Sequence, residues 1–151
     1  MIARHHIGFT TAPTRVPVNA WRVKLFCQAI GETDPVYWDA EGARAAGHRA
    51  CPVPATFLKA LESEHCSSAV LLARLDVPMI KVLHAEQSFQ YQQPVYVGDA
   101  VEIERSITDI YDKRDGALTF VVVQTRYRVG AANAASSVQT LLLRNAAGTT
   151  A

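Results

Sequence analysis

Residues 51–63 read CPVPATFLKALES, and this stretch decides the fold. Pro52 and Pro54 flank Val53 in a stiff extended segment, because each ring fixes φ and the residue before a proline avoids the helical region. Pro54 also suits the first position of a helix, where its missing N–H would have no intrahelical acceptor anyway. Behind it Phe57, Leu58 and Leu61 recur at helical spacing, and Lys59, Glu62 and Ser63 are expected to face away from that stripe. After a polar break a second apolar stretch runs from Ala69 to Leu75. The reading is a helix opening at Pro54 whose apolar face must be covered by something else.

The cover lies downstream. Everything after Lys81 reads as β, beginning with a strand over Ser88–Tyr96. A second strand, Ala100–Tyr111, puts Val101, Ile103 and Ile107 on one face, and Gly98-Asp99 supplies a tight turn before it. Between Phe120 and Val129 the alternation is clear: Val121, Val123, Thr125, Tyr127 and Val129 point one way, Gln124, Arg126 and Arg128 the other. A last strand, Ser136–Arg144, carries Val138, Leu141, Leu142 and Leu143. Asp115-Gly116 makes the turn before the third strand, and the charges from Asp109 to Asp115 read as its solvated end.

Upstream, Phe9 to Val18 reads as an extended edge strand or arm. Asn19 is placed to cap a helix in which Val23, Phe26, Cys27 and Ile30 share one face, and Gly31 ends it in the left-handed position. From Glu32 to Val53 the periodicity dissolves, and little regular structure is expected there. Long irregular stretches inside compact domains are often functional. Together these elements predict an α+β fold in which an antiparallel sheet packs on a helix.

Composition excludes several classes. The 151 residues are 49% apolar and 19% charged, a globular balance, and are read as one domain over 1–151. A formal net charge of +1 with scattered arginines argues against nucleic-acid binding. No apolar run approaches the ~20 residues of a membrane span, and residues 1–10 lack a signal-peptide block. Cys27, Cys51 and Cys66 have no metal-type spacing and are expected to be reduced in a cytoplasmic protein. Glu62 and His65 are too isolated to form a metal site, and no cofactor is expected.

Four segments in register resemble the MaoC-like dehydratase family, in particular its N-terminal, FAS1-like dehydratase type. They are Ala29-Ile30-Gly31-Glu32-Thr33-Asp34-Pro35-Val36-Tyr37, Pro52-Val53-Pro54-Ala55-Thr56-Phe57, Leu83-His84-Ala85-Glu86-Gln87, and Gln93-Pro94-Val95-Tyr96-Val97-Gly98-Asp99. The resemblance implies a hot-dog fold, an antiparallel sheet wrapped around a central helix. It also implies hydration or dehydration of acyl thioesters, with CoA or acyl carrier protein as carrier. Active members carry Gly-Asp-x-Asn-Pro-x-His in the loop after the first helix, the Asp and His acting as base and acid about a water. Here Gly31 and Pro35 match, but the Asp position holds Glu32 and the His position Tyr37. A tyrosine titrates near pH ~10 and cannot shuttle a proton as imidazole does.

The resemblance therefore points to the subunit of a heterodimeric 3-hydroxyacyl-thioester dehydratase that lacks the acid–base pair and helps form the acyl tunnel. It implies that the helix-start amides of Ala55 and Thr56, with Phe57 beside them, receive the thioester carbonyl; such amides lack intrahelical acceptors. His84 is a further binding candidate. The alternatives are a self-sufficient homodimeric hydratase using Glu32 with Tyr37 or His84, a thioesterase using Glu62 or Glu64, and an acyl-binding module without turnover. A homodimer or a heterodimer is expected in every case, because one copy leaves a sheet edge open.

Overall fold

The computed structural model describes residues 2–145. Its elements in chain order are β1 (Thr14–Pro17), α1 (Ala20–Ile30), α2 (Ala40–Ala45), α3 (Phe57–His65), α4 (Ser68–Arg74), β2 (Val82–Tyr91), β3 (Ala100–Lys113), β4 (Leu118–Val129) and β5 (Ala132–Arg144). The strands form one antiparallel sheet in the order β1-β3-β4-β5-β2, and the whole is the expected α+β hot-dog fold.

One face of the sheet is buried by residue alternation. On β4, Val121, Val123, Thr125 and Tyr127 are buried while Arg126 and Arg128 lie outside. On β3 the inward set is Val101, Ile103, Arg105 and Ile107, and then a register shift between Ile107 and Asp109 passes the inward position to Ile110. An extra residue in one strand restores the apolar side to the core after the period has slipped. α3 and α1 cover one half of this face: Phe57, Leu58, Leu61, Val23 and Cys27 meet Val101, Ile103 and Tyr127. α4 covers the other half, Leu71 and Leu75 against Ile107, Ile110, Val121 and Leu141.

Several boundaries differ from the sequence reading. The central helix begins at Phe57, because Pro54 to Thr56 form a turn in which the Pro54 carbonyl accepts the Phe57 N–H at 2.9 Å. The first long strand is Val82–Tyr91, so His84 lies within it and the stretch from Gln92 to Tyr96 lies outside it. The loop after α1 contains α2, capped by Asp39, whose Oδ1 accepts the Gly42 N–H at 2.6 Å. Six residues with one buried side chain, Ala43, leave no periodicity to detect. Asn19 and Gly31 bound α1 as expected, Gly31 at φ 70° with its N–H on the Cys27 and Gln28 carbonyls, although the Asn19 side chain makes no capping bond.

Glu62 is the largest correction. It was expected to face away from the apolar stripe, yet it is 1% exposed. Its Oε1 accepts a hydrogen bond from Lys59 Nζ at 2.8 Å, and its Oε2 accepts one from the Tyr127 hydroxyl at 2.5 Å. Arg105 Nε lies 3.2 Å from Oε1, off the hydrogen-bond line, while its Nη1 donates to the Cys66 carbonyl at 3.3 Å. A sheet that curls around a helix buries more than one stripe of it, and charges on the second stripe survive only when paired.

β2 and β3 are consecutive in the chain but lie on opposite flanks of the sheet, β2 at its edge and β3 beside β1. Residues 92–99 therefore carry the chain across. Along the way Val53 N–H bonds to the Val95 carbonyl at 2.8 Å and Val97 N–H to the Cys51 carbonyl at 2.9 Å. Gly98 N–H then reaches the Val18 carbonyl at 2.9 Å. The crossing segment is stitched to the lead-in of the central helix, and that junction builds the site. No helix among the described residues is long and apolar enough to cross a membrane.

Candidate functional site

A cavity of about 410 Å³ opens where three segments meet: the loop after α1, the lead-in to α3, and the crossing segment. Its walls are mainly apolar, with Val36, Pro52, Val53, Leu58, Pro94 and Val95 contributing. Its polar side chains are Tyr37, His48, Tyr91, Gln92 and Gln93. Such a mixture suits an apolar ligand with one oxygenated end.

Tyr37 ends a one-turn 3₁₀ helix, Pro35–Tyr37, started by Asp34, whose Oδ1 accepts the Val36 N–H at 3.0 Å. Burial raises its hydroxyl pKa above the usual tyrosine value, helped by the charges of Glu32 and Asp34. The group is therefore a neutral phenol at physiological pH. Glu32 takes another part. Its Oε1 accepts the N–H groups of Thr33 and Asp34 at 2.9 and 3.0 Å, and its carbonyl accepts the Trp38 indole N–H at 2.9 Å. It ties the loop together and contributes no wall to the cavity.

At the helix opening, Ala55 lines the cavity and Phe57 does not. Phe57 is fully buried, edge-on to Phe26 with ring centres 5.5 Å apart. Neither the Ala55 nor the Thr56 amide has an acceptor among the described residues, while the Ala55 carbonyl accepts the Tyr91 hydroxyl at 3.0 Å. Thr56 faces a separate groove, shared with Phe26, Lys59 and Phe89. His84 is exposed on β2 with its ring Nδ1 3.0 Å from the Gln139 amide nitrogen, away from the cavity. Glu62 is sealed beneath α3, and Glu64 pairs with Arg22 on the surface; neither reaches the cavity.

The sequence reading missed His48. Its Nδ1 lies 3.2 Å from the Tyr96 hydroxyl. The Arg49 guanidinium stacks 4.2 Å over the Tyr96 ring and pairs with Asp99 at 2.5 Å, and Asp99 in turn accepts the Tyr96 N–H at 2.9 Å. Tyr96 and Asp99 belong to the crossing segment, and His48 and Arg49 follow α2. Only the topology brings them together, so no local pattern could have announced it. Among the described residues, no cluster of three or more His, Cys, Asp or Glu side chains is arranged to hold a metal ion.

Residues 5–133 match the family model described as FAS1-like, dehydratase domain region. A UPF0336 protein of Clavibacter michiganensis is 31% identical over 128 residues, covering 84% of this chain and 85% of that protein. A UPF0336 protein of Streptomyces griseus is 33% identical over 102 residues, covering 67% and 68%. Among solved structures, a C-terminally truncated HadBC (3R-hydroxyacyl-ACP dehydratase) complex from Mycobacterium tuberculosis superposes with a TM-score of 0.80 at 19% identity, covering 91% of this chain and 96% of that one. The ChsH1–ChsH2 complex from the same organism gives 0.77 at 22% identity, covering 93% and 87%. The (R)-hydratase from A. caviae involved in PHA biosynthesis gives 0.70 at 21%, covering 89% and 94%. At such identities the structures share the fold.

Proposed function

This chain belongs to the FAS1-like dehydratase family, of the MaoC-like hot-dog kind, and from that membership we propose that it is the acyl-holding subunit of a (3R)-hydroxyacyl-thioester dehydratase or enoyl-thioester hydratase. The observation that carries the proposal is the cavity at the opening of α3, with Tyr37 in its wall and Glu32 bonded to its own loop instead. Dehydration removes a proton from C2 and the hydroxyl from C3 of the acyl chain, so it needs a base and an acid about 3 Å from those atoms. Tyr37 is held neutral, and one Glu32 oxygen already accepts two amides. The pair of groups that moves protons then belongs to a second hot-dog subunit.

What this chain contributes is binding. The apolar wall takes the acyl tail, and the Ala55 amide at the cavity wall faces the thioester carbonyl, which gains negative charge as C2 is deprotonated. Among the described residues the long outer edge of β2 has no strand beside it, and most of its side chains are exposed. An open edge of that kind is suited to a second subunit. The heteromeric HadBC and ChsH1–ChsH2 complexes are consistent with this arrangement.

The test is an assay of crotonyl-CoA hydration by the purified chain, alone and with a hot-dog partner carrying Asp and His in the corresponding loop. The expected result is acyl-CoA binding by the chain, little turnover alone, and turnover in the complex. Robust turnover by the chain alone that collapses in Glu32→Gln would assign catalysis to this subunit instead.

A further inference from the structure

We infer that the polar partner of Tyr37 in this cavity is His48 rather than Glu32, and that the two form a subsite for the 3-hydroxyl group of a hydroxyacyl thioester. The inference rests on the acyl-thioester reading above and deepens it. Tyr37 and His48 both line the cavity, reaching it from opposite ends of the loop that holds α2. Neither the Tyr37 hydroxyl nor His48 Nε2 has a hydrogen-bond partner among the described residues. Two polar groups without a protein partner, facing a mainly apolar chamber, mark where a ligand oxygen is stabilised.

The tautomer follows from what stands behind His48. Arg49 lies over the Tyr96 ring, and a cation there withdraws electron density and makes the phenol a better donor. With the Tyr96 hydroxyl as donor to His48 Nδ1, the single N–H of the neutral imidazole sits on Nε2. His48 therefore presents a donor to the cavity. A hydroxyl group offers one proton and two lone pairs, so one donor and one acceptor hold it and leave the second lone pair open to the acid of the second subunit. His48 Nε2–H supplies the donor and the Tyr37 phenol oxygen the acceptor. The ligand's other oxygen, the thioester carbonyl, is left for the amide of Ala55 in the cavity wall.

The Asp99–Arg49–Tyr96 set holds this geometry without touching the ligand, which makes those three positioning residues. They fix a ring whose backbone lies in a loop, where the side chain would otherwise explore several rotamers.

The experiment measures calorimetric binding of (3R)-3-hydroxybutyryl-CoA, which has the hydroxyl, and butyryl-CoA, which lacks it, to the full chain in the oligomer it forms. The wild type is expected to favour the hydroxylated ligand by about tenfold, the usual yield of a hydrogen bond made to a well-placed partner. His48→Phe, which keeps the ring volume, abolishes that preference and leaves butyryl-CoA binding within about twofold. His48→Gln retains part of it, and Tyr96→Phe reduces it by loosening the ring. Equal weakening of both ligands in His48→Phe, or no change in either, overturns the inference and leaves the acyl-thioester reading standing. Failure of the wild type to bind either thioester overturns both. Should His48→Phe unfold, His48→Gln decides the matter on the same ratio.

Discussion

Replacing Glu62 by alanine puts the packing of the central helix to a quantitative test. The carboxylate accepts hydrogen bonds from Lys59 and Tyr127 and forms an ion pair with Arg105, and Glu62 and Arg105 are 1% and 2% exposed. Without it, the Arg105 guanidinium keeps one hydrogen bond, to the Cys66 carbonyl, and Tyr127 keeps its 3.3 Å contact with the Ser137 hydroxyl. Removing one partner of a buried ion pair costs about 3–5 kcal/mol, because the other charge is left desolvated and unpaired. For a chain of this size each kcal/mol shifts Tm by roughly 2–4 °C, so Tm is expected to fall by roughly 6–20 °C. In urea the midpoint falls by about 1 M or more while the slope stays constant.

A companion variant separates charge from shape. Glu62→Leu with Arg105→Met removes both charges and refills the space, and it recovers most of the loss, since buried pairs are often replaceable by apolar residues of similar volume. A Glu62→Ala protein within about 0.5 kcal/mol of wild type would show that the cluster contributes nothing to stability. A double variant no better than the single would refute the account of the cost as unpaired charge. Neither variant is expected to abolish a thioesterase activity, because Glu62 does not reach the cavity.

Burial, reinforced by Glu62, raises the Tyr127 hydroxyl pKa above the usual tyrosine range, so unfolding at alkaline pH releases a proton that the folded state keeps. Stability should fall as pH rises beyond about 10, by at most about 1.4 kcal/mol per pH unit from this group, and Tyr127→Phe should flatten that slope in alkaline urea titrations. A slope unchanged in Tyr127→Phe would assign the effect elsewhere. In Gly42→Ala the added methyl would sit 2.5 Å from the Pro35 carbonyl oxygen, so the turn carrying Tyr37 must move. A loss of about 1–3 kcal/mol in urea melts with weakened acyl-CoA binding is expected, and wild-type behaviour in both would contradict the close approach. Leu83, 47% exposed on β2, should matter to assembly. Leu83→Asp is expected to weaken subunit association at least tenfold by sedimentation, and unchanged association would place the seam elsewhere.

How much of this was legible depended on whether local periodicity carried the information. β4 was readable because its inward Val121, Val123, Thr125 and Tyr127 alternate with outward arginines. The lead-in at Pro54 was readable from proline chemistry, although the turn it starts delays the helix to Phe57. Glu62 was misjudged because a one-stripe picture of an amphipathic helix fails once a sheet encloses it. A signal did exist: Arg105 falls on the inward parity of β3 with Val101, Ile103 and Ile107, and a cation there demands a buried anion on whatever covers it. His48 left no such mark. Its partner, Tyr96, and the Asp99 that holds Tyr96 lie far along the chain, and their approach is a product of strand order alone.

That strand order explains why the site lies where it does. Were β2 and β3 neighbours, a short turn could join them, and residues 92–99 would have no reason to pass the opening of the central helix. Because the two strands flank the sheet, the connection must cross, and it forms backbone bonds with Cys51 and Val53 as it goes. The crossing walls the cavity with Pro94 and Val95 and delivers Tyr96 behind His48. It also occupies backbone groups on the lead-in, while the Ala55 and Thr56 amides have no acceptor among the described residues. The pocket is therefore a consequence of topology, and the proposed Tyr37/His48 pair, at the two ends of the loop that holds α2, needs no change in that frame.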